Sequence, residues 1–508
     1  MTVPDTGFML RSLEYLASFI IILFALMVLA IIVVYIMDVT QTKQAIRRNY
    51  PVIGHFRYFF EDIGKFFRQY FFAMDREEMP FNRAERSWVY RAAKDLDNTT
   101  AFGSSRALSP PGTILFVNCP FPTLGEDAAE TQPVTIGSFC KQPYTAKSIF
   151  NVSGMSFGAL SKPAVQALSH GAAKGGCWVN TGEGGLSPYH LEGGSDVVYQ
   201  IGTAKYGVRD AAGKLSDDKL REVAAHPQVK MFEIKMSQGA KPGKGGILPG
   251  GKVTEEIAKI RGIPAGQDSI SPNRHPDINS LGDLLDMIDR IRTVTGKPVG
   301  FKAVIGAYGW LDELCVEINK RGPKSAPDFI TIDSADGGTG AAPMSLMDYM
   351  GLPIKESLPL VADTLTKHGL KERIKLIASG KLISPAEVAW ALCVGADFIV
   401  SARGFMFALG CIQALHCNKN NCPTGITTHD KRLQKGLVPS VKAQRVADYI
   451  KNLNYEVGVI AHSCGVKEPR QLRRFHARMV AENGQSVGLD ELYAEKPAPA
   501  LVTSSKAG

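Results

Sequence analysis

The most apolar stretch of the chain lies close to its start. Leu16 to Met37 is 22 residues without a charge, rich in Ile, Leu and Val. As a helix rising about 1.5 Å per residue, it spans a hydrocarbon core of roughly 30 Å. It is also longer than the apolar core of a signal peptide, and no small-residue cleavage site follows it. Lys43, Arg47 and Arg48 flank it downstream, whereas upstream Arg11 is offset by Glu14. The positive-inside rule then places the N-terminus outside and everything after residue 40 in the cytoplasm. Next, Phe56, Phe59, Phe60, Ile63, Phe66, Phe67 and Tyr70 recur at helical spacing with Arg57, Lys65 and Arg68 between them. Such a helix either lies on a bilayer or docks its aromatic stripe on the rest of the protein. Residues 80–145 alternate Pro, Gly and short apolar runs such as Ile114–Val117, which predicts a small irregular or β-containing cap.

From Ser148 the pattern becomes apolar run, glycine-rich turn, helix, repeated. Eight candidate strands follow: 149–153, 177–181, 231–235, 268–271, 299–304, 329–333, 375–379 and 398–401, with helices such as 311–321 and 384–394 between them. Runs apolar on both faces and alternating with helices predict a parallel sheet. Eight of them predict an α/β fold of the closed (β/α)8 TIM-barrel kind. A doubly wound open sheet is disfavoured because no Gly-x-Gly-x-x-Gly follows an early strand. The expected organisation is an anchor over 1–40, a juxtamembrane helix and cap over 41–145 and the barrel over 146–430. A helical extension over 431–496 and a disordered Pro/Ala/Ser tail over 497–508 follow.

Composition changes little in this picture. The net charge of +9 comes from 58 Lys plus Arg against 49 Asp plus Glu, spread without the stripe that nucleic acid requires. Six of the nine cysteines are scattered, which argues against a secreted disulfide framework. The other three, Cys411, Cys417 and Cys422, fall within twelve residues as C-x5-C-x4-C, closed by Pro423. Zinc usually takes four ligands in two close pairs, which is not this pattern. Three clustered thiolates before a proline suit an iron–sulfur cluster. The plainer alternative is a loop with buried free thiols.

This loop resembles the cluster loop of the flavin domain of glutamate synthases. Gly154–Ser161, Asn180–Gly185, Gln238–Gly246, Ser271-Pro272 with His275–Ile278, and Asp336–Pro343 resemble that domain in its order. The likeness covers about residues 145 to 430. It implies FMN and a 3Fe–4S cluster, with Cys411, Cys417 and Cys422 as the metal ligands. It also implies reductive amination of a 2-oxo acid through an imino acid that takes hydride from the flavin, with electrons entering through the cluster. In such barrels phosphate binds after strands seven and eight, here Ser379-Gly380-Lys381 and Ala402-Arg403-Gly404, where related enzymes usually carry Asp-Gly-Gly at the first turn. Ser153, Gly154 and Met155 would border the flavin, as would Asp336, Gly337, Gly338 and Thr339, and Lys302 would stabilise its negative charge. Lys241 and Arg261 match positions that handle the carboxylates of 2-oxoglutarate. Glu183, Lys235 and Gln238 match polar positions around substrate and cofactor. Lys244 and Lys252 read as charges of a solvated loop.

Glutamate synthases usually have glutamine where this chain has Ile247, which predicts an altered oxo acid. Met1 leads into the apolar segment rather than serving as a catalytic cysteine, and 431–508 is too short for a long β-helix. The expectation is therefore a synthase domain standing alone in the inner, cytoplasmic membrane. It would be served by a ferredoxin-like or membrane-linked electron donor, with ammonia, an amine or a separate glutaminase subunit as nitrogen source. The alternatives are a membrane-linked FMN dehydrogenase for another amino or oxo acid, and a non-catalytic electron-transfer subunit.

Overall fold

Eight short, apolar strands buried on both faces are the frame on which the rest of the chain hangs. In the computed structural model, which describes residues 6–307 and 309–493, they are β1 (Phe150–Val152), β2 (Val179–Asn180), β3 (Val197–Ile201) and β4 (Val229–Lys235), then β5 (Val299–Val304), β6 (Phe329–Asp333), β7 (Lys375–Ser379) and β8 (Phe398–Ser401). They pair in the order β1-β8-β7-β6-β5-β4-β3-β2, every pair parallel. The two ends of this sheet meet. The Val152 N–H donates to Trp178 O at 3.1 Å and the Met155 N–H to Asn180 O at 3.2 Å. The expected (β/α)8 barrel is thereby present.

One strand of the expected roster is wrong. Asp268–Ser271 is not a barrel strand: Ser269–Ile270 pairs antiparallel with Ile247–Leu248 in a two-stranded ribbon outside the barrel. The strand in its place is β3, buried throughout. The one α-helix of the β2–β3 crossover is the four-residue Pro188–Leu191, too short for the helical periodicity that announces the other crossovers. Lys235 therefore closes β4, not the third strand.

The cap plugs the bottom of the barrel. Val134–Ile136 and Tyr144–Ala146 form a hairpin. Its Ile136, Tyr144 and Ala146 pack with Trp178, Val198, Met231, Phe329, Ile377, Phe398 and Val400 at the N-terminal end of the strands. Tyr144 also donates to Asp196 Oδ2 at 2.9 Å. Beside β1, the helix Lys162–Gly175 meets the long helix Pro439–Ser463 so closely that a Cβ at Gly171 would lie 2.4 Å from Val446 Cβ. The segment expected to be helical over 431–496 also contributes the strands Ala477–Val480 and Ser486–Gly488; the first pairs antiparallel with both Ile114–Phe116 and Ser486–Gly488. The tail expected from 497 lies outside the described residues.

The chain divides into two compact units between Ala84 and Glu85. In the first, the helix Thr6–Thr40 contains the whole Leu16–Met37 run, is long and apolar enough to cross a membrane, and exposes nearly all the side chains of that run. The short helix Ala45–Asn49 and the aromatic helix Gly54–Phe67, prolonged by a π-turn over Arg68–Phe72, follow it.

Candidate active site

The C-terminal ends of β2, β4, β5 and β6 bring the ionisable residues together. Lys235 and Lys302 are register neighbours on β4 and β5, both buried. Two ammonium groups side by side out of water require nearby carboxylates. Lys235 Nζ meets Glu183 Oε1 at 2.9 Å, and Lys302 Nζ lies 3.7 Å from Asp333 Oδ2. Glu183 comes from the tight turn after β2 and fills a slot that only glycine leaves open. A Cβ at Gly202 would lie 2.5 Å from Glu183 Cβ, and one at Gly246 would lie 2.3 Å from its Oε1. Lys235 also donates to Gln238 Oε1 at 2.8 Å, and Gln238 Nε2 to Gly338 O at 3.0 Å. Glu183, Lys235 and Gln238 thus form one hydrogen-bonded chain.

Lys241 and Arg261 stand around this chain. Lys241 Nζ is buried, with Ala341 O at 3.2 Å. Arg261 ends the helix Glu255–Arg261 and braces the loop after β1. Its N–H groups reach Ser269 Oγ at 3.2 Å and Ser156 Oγ and Phe157 O at 3.5 Å, its guanidinium lies 5.3 Å from the Tyr206 ring centre, and its Nε has no partner. Burial would raise the Glu183 carboxyl, but Lys235, then Lys241 and Arg261, outweigh it and hold the group below its ordinary value. Burial first, then Lys235, bring the Lys241 ammonium down to about 8. Burial also lowers Lys235, and Lys302 lowers it further. Four buried cations against Glu183 and Asp333 make a cleft biased toward anions.

The residues expected to border a flavin lie on the same mouth. The Gly239 N–H donates to Asp333 Oδ2 at 3.0 Å, which ties the loops after β4 and β6 together. Asp336 accepts from the Ile354 N–H at 2.9 Å, while its carbonyl takes the Arg403 guanidinium from the loop after β8. Thr339 Oγ1 donates to Ala341 O at 3.3 Å. Gly338 lies against Arg403, where a Cβ would sit 2.8 Å from Nε. Burial brings Arg403 down to about 10. Gly380 has φ +129, and a Cβ there would come within 1.9 Å of Ser334 Oγ. That hydroxyl is itself buried without a hydrogen-bond partner. Lys381 follows with φ +51, and the Gly404 N–H donates to Ser401 Oγ at 3.3 Å. Across the mouth, the Ser153 N–H donates to Ser401 O at 3.0 Å. Beside it, Gly154 faces Asn180 Oδ1 and Gln200 Nε2, each 3.0 Å from where its Cβ would be, and the Met155 N–H is the one bonded to Asn180 O.

Sequence reasoning missed two groups. Glu233 sits buried inside the barrel and accepts from Asn180 Nδ2 at 2.9 Å, Gln200 Nε2 at 2.6 Å and Thr331 Oγ1 at 2.5 Å. Its signal was a carboxylate set between Phe232 and Ile234 in the interior of a strand. Lys252, read as a solvated charge, is 2% exposed. Its Nζ donates to Ala159 O at 2.8 Å and Cys417 O at 3.2 Å, joining the loop after β1 to the cysteine loop. Burial brings it down to about 8, against the pull of Cys417 and Cys422.

All three cysteines of that loop are free thiols. Residues Gln413, Leu415 and Asn420 turn it through left-handed backbone. The Gln413 N–H donates to Cys411 Sγ at 3.4 Å, and Thr424 Oγ1 lies 3.3 Å from Cys422 Sγ. Burial pushes the Cys411 thiol up to about 12, with Cys417 and Cys422 adding to it. Burial also acts upward on Cys422, but hydrogen bonds from Thr424 and Thr427 bring it below its ordinary value. Among the described residues, no three His, Cys, Asp or Glu side chains converge on one point as a single ion would require.

A closed parallel barrel with buried cations, a paired carboxylate and glycine turns at its C-terminal mouth is the frame of an enzyme for an anionic small molecule. The conserved region of glutamate synthase matches residues 123–467. The chain belongs to the glutamate synthase family and is a glutamate synthase-like oxidoreductase. It is 38% identical to the glutamate synthase large subunit-like protein YerD of Bacillus subtilis, over 94% of this chain and 98% of that one. It is 35% identical to the archaeal-type glutamate synthase [NADPH] of Thermotoga neapolitana, over 63% of this chain and 60% of that one. The archaeal glutamate synthase [NADPH] of Methanocaldococcus jannaschii is also 35% identical, over 68% of this chain and 63% of that one. Against the latter two, the matched region spans about three fifths of their length.

Proposed function

We propose that this chain is an FMN- and iron–sulfur-dependent oxidoreductase acting on CH–NH2 donors, which reductively aminates a 2-oxo acid at the Glu183–Lys235–Lys241 cluster. The observation that carries this reading is the cluster itself: buried ammonium groups gathered about one carboxylate at the barrel mouth of a glutamate synthase relative. FMN, when bound, supplies the hydride exchange. The chain fits it: Arg403, the Gly380 turn and the unpartnered Ser334 hydroxyl suit a phosphate, and Lys302 suits the electron-rich edge of the ring. The cysteine loop fits a three-iron cluster, which takes one thiolate per iron and so does not ask its sulfurs to meet at one ion. The thiols are free, an N–H points at Cys411 and a hydroxyl lies against Cys422.

The chain's own part is to bind and to move protons. Lys241 holds a substrate carboxylate, with Arg261 setting the loop opposite. Lys235 is kept charged by Glu183 and oriented by Gln238. Lys241 Nζ, with its lowered proton affinity, can also give a proton to nitrogen as the amine forms. The helix Thr6–Thr40 anchors the protein to the inner membrane, with everything after residue 40 in the cytoplasm. A ferredoxin-like or membrane-linked donor supplies electrons, and ammonia or a separate glutaminase subunit supplies nitrogen.

A second reading concerns the acceptor. Gly246 lies directly against the Glu183 carboxylate, so Ile247, paired with Ile270 in the outer ribbon, sits on the rim of the substrate cleft. An aliphatic rim leaves a polar group unpaired, which favours a more apolar oxo acid than 2-oxoglutarate. The test is anaerobic purification, flavin and iron analysis, and a panel of oxo acids with ammonia scored by reoxidation of the reduced flavin. Reoxidation by none of them, in protein carrying both cofactors, would refute the proposal. Ile247→Gln should improve 2-oxoglutarate relative to apolar acids.

A further inference from the structure

The aromatic helix Gly54–Phe67 has two sides with opposite fates. One side is fastened within its own unit. The Val52 N–H donates to Asp38 Oδ2 at 2.8 Å, and His55 Nε2 lies 2.9 Å from both Asp38 oxygens. Gly54 presses on the backbone of Ile46 and Arg47, and the Arg47 guanidinium sits 4.9 Å from the Tyr58 ring centre. Residues 54, 55 and 58 share that side at 100° per residue. Phe56, Phe59, Phe60, Phe66, Phe67, Tyr70 and Phe71 occupy the opposite arc and are 45–75% exposed. Arg57, Glu61 and Arg68 line one flank of that arc, and Lys65 falls with residues 54 and 58 while keeping its side chain exposed.

Asp38 belongs to the last turn of the helix that carries the apolar run. Its two hydrogen bonds hold the start of the aromatic helix at the level where that run ends. An aromatic arc this large, left bare, is far beyond the scattered apolar residues of a soluble surface. The headgroup–acyl boundary is where Phe and Tyr on an amphipathic helix come to rest.

We propose that the Phe56–Phe71 face lies in the interfacial layer of the bilayer that Leu16–Met37 crosses, so that the anchor is an L: one span and one helix on the membrane surface. This rests on the reading of Leu16–Met37 as a span. The occupant is lipid, because the arc starts at the end of the span and its polar flank is charged.

In the full-length protein in native membranes, Phe60 and, separately, Lys65 are replaced by p-benzoylphenylalanine. The membranes are irradiated and the adducts are read by mass spectrometry. Lipid adducts at position 60 should exceed those at position 65 several-fold. Protein adducts at position 60, to a second copy or another chain, would overturn the inference, as would equal lipid yield at both positions. Carbonate extraction separates the two layers of the argument. Protein released into the wash refutes the span, whereas protein retained without lipid adducts at position 60 refutes the surface helix alone.

Discussion

Lys241 is the residue whose chemistry follows most directly from its surroundings. Its ammonium is buried with one carbonyl partner, and its proton affinity is down to about 8. Only the charged form holds a carboxylate. The charge is present below that value and lost as pH rises through it, so kcat/KM for the oxo acid should fall on an alkaline limb near pH 8. Lys241→Arg, which stays charged, should remove that limb in a pH profile. Lys241→Ala removes a charge-assisted contact of about 1.5–3 kcal/mol. It should cost roughly ten- to a hundredfold in kcat/KM with FMN still bound. Lys252 marks the limit of what single residues disclose. Between Gly250-Gly251 and Val253 it looks like solvent-loop charge. Its burial comes from partners 93 and 165 positions away, and nothing local in the sequence encodes that. A cation fixed on the cysteine loop would stabilise the reduced, more negative state of the proposed cluster. Lys252→Met should therefore lower the cluster's midpoint potential in a redox titration followed by electron paramagnetic resonance, and Lys252→Arg should largely restore it. An unchanged potential at full iron content would make Lys252 a packing residue only.

At the scale of elements, the strong signals were the long ones. β5 to β8 lie where apolar runs bounded by turns put them, because each is followed by a helix or a glycine turn of ordinary length. β3 was hidden by the short β2–β3 crossover. Asp268–Ser271 reads as a barrel strand because a short run after a turn looks alike in a barrel and in a ribbon. Ile270 in fact stands 64% exposed, which no core strand would permit. Lys235 and Lys302 are register neighbours on adjacent strands whichever number those strands carry. Arg403 links the loops after β6 and β8 through Asp336 and Gly338. Arg403→Ala should strip FMN on dialysis while leaving iron content near that of the parent protein. Loss of both together would make Arg403 a structural clamp.

For the whole molecule, the family and the barrel were legible because the glycine-rich motifs recur in order along the chain. The apolar helix Thr6–Thr40 was legible because Leu16–Met37 is an unbroken run of 22 uncharged residues. What joins them is less so: the role of the aromatic helix depends on which of its sides is fastened, and that side is set by Asp38 and Arg47 rather than by the stripe. A reporter fused at the C-terminus should be active only in its cytoplasmic form, and activity of an exported reporter would reverse the topology. The account as a whole turns on whether nitrogen is transferred to carbon at the Glu183–Lys235–Lys241 cluster. The most direct measurement supplies 15N-ammonia, reduced methyl viologen and a panel of 2-oxo acids to the anaerobic holoenzyme, and detects labelled amino acid by mass spectrometry. The account predicts a labelled product from at least one oxo acid, reduced at least tenfold in Lys241→Ala with flavin and iron unchanged. Holoenzyme that forms no labelled amino acid, or a Lys241→Ala variant that forms it at the parent rate, would contradict it.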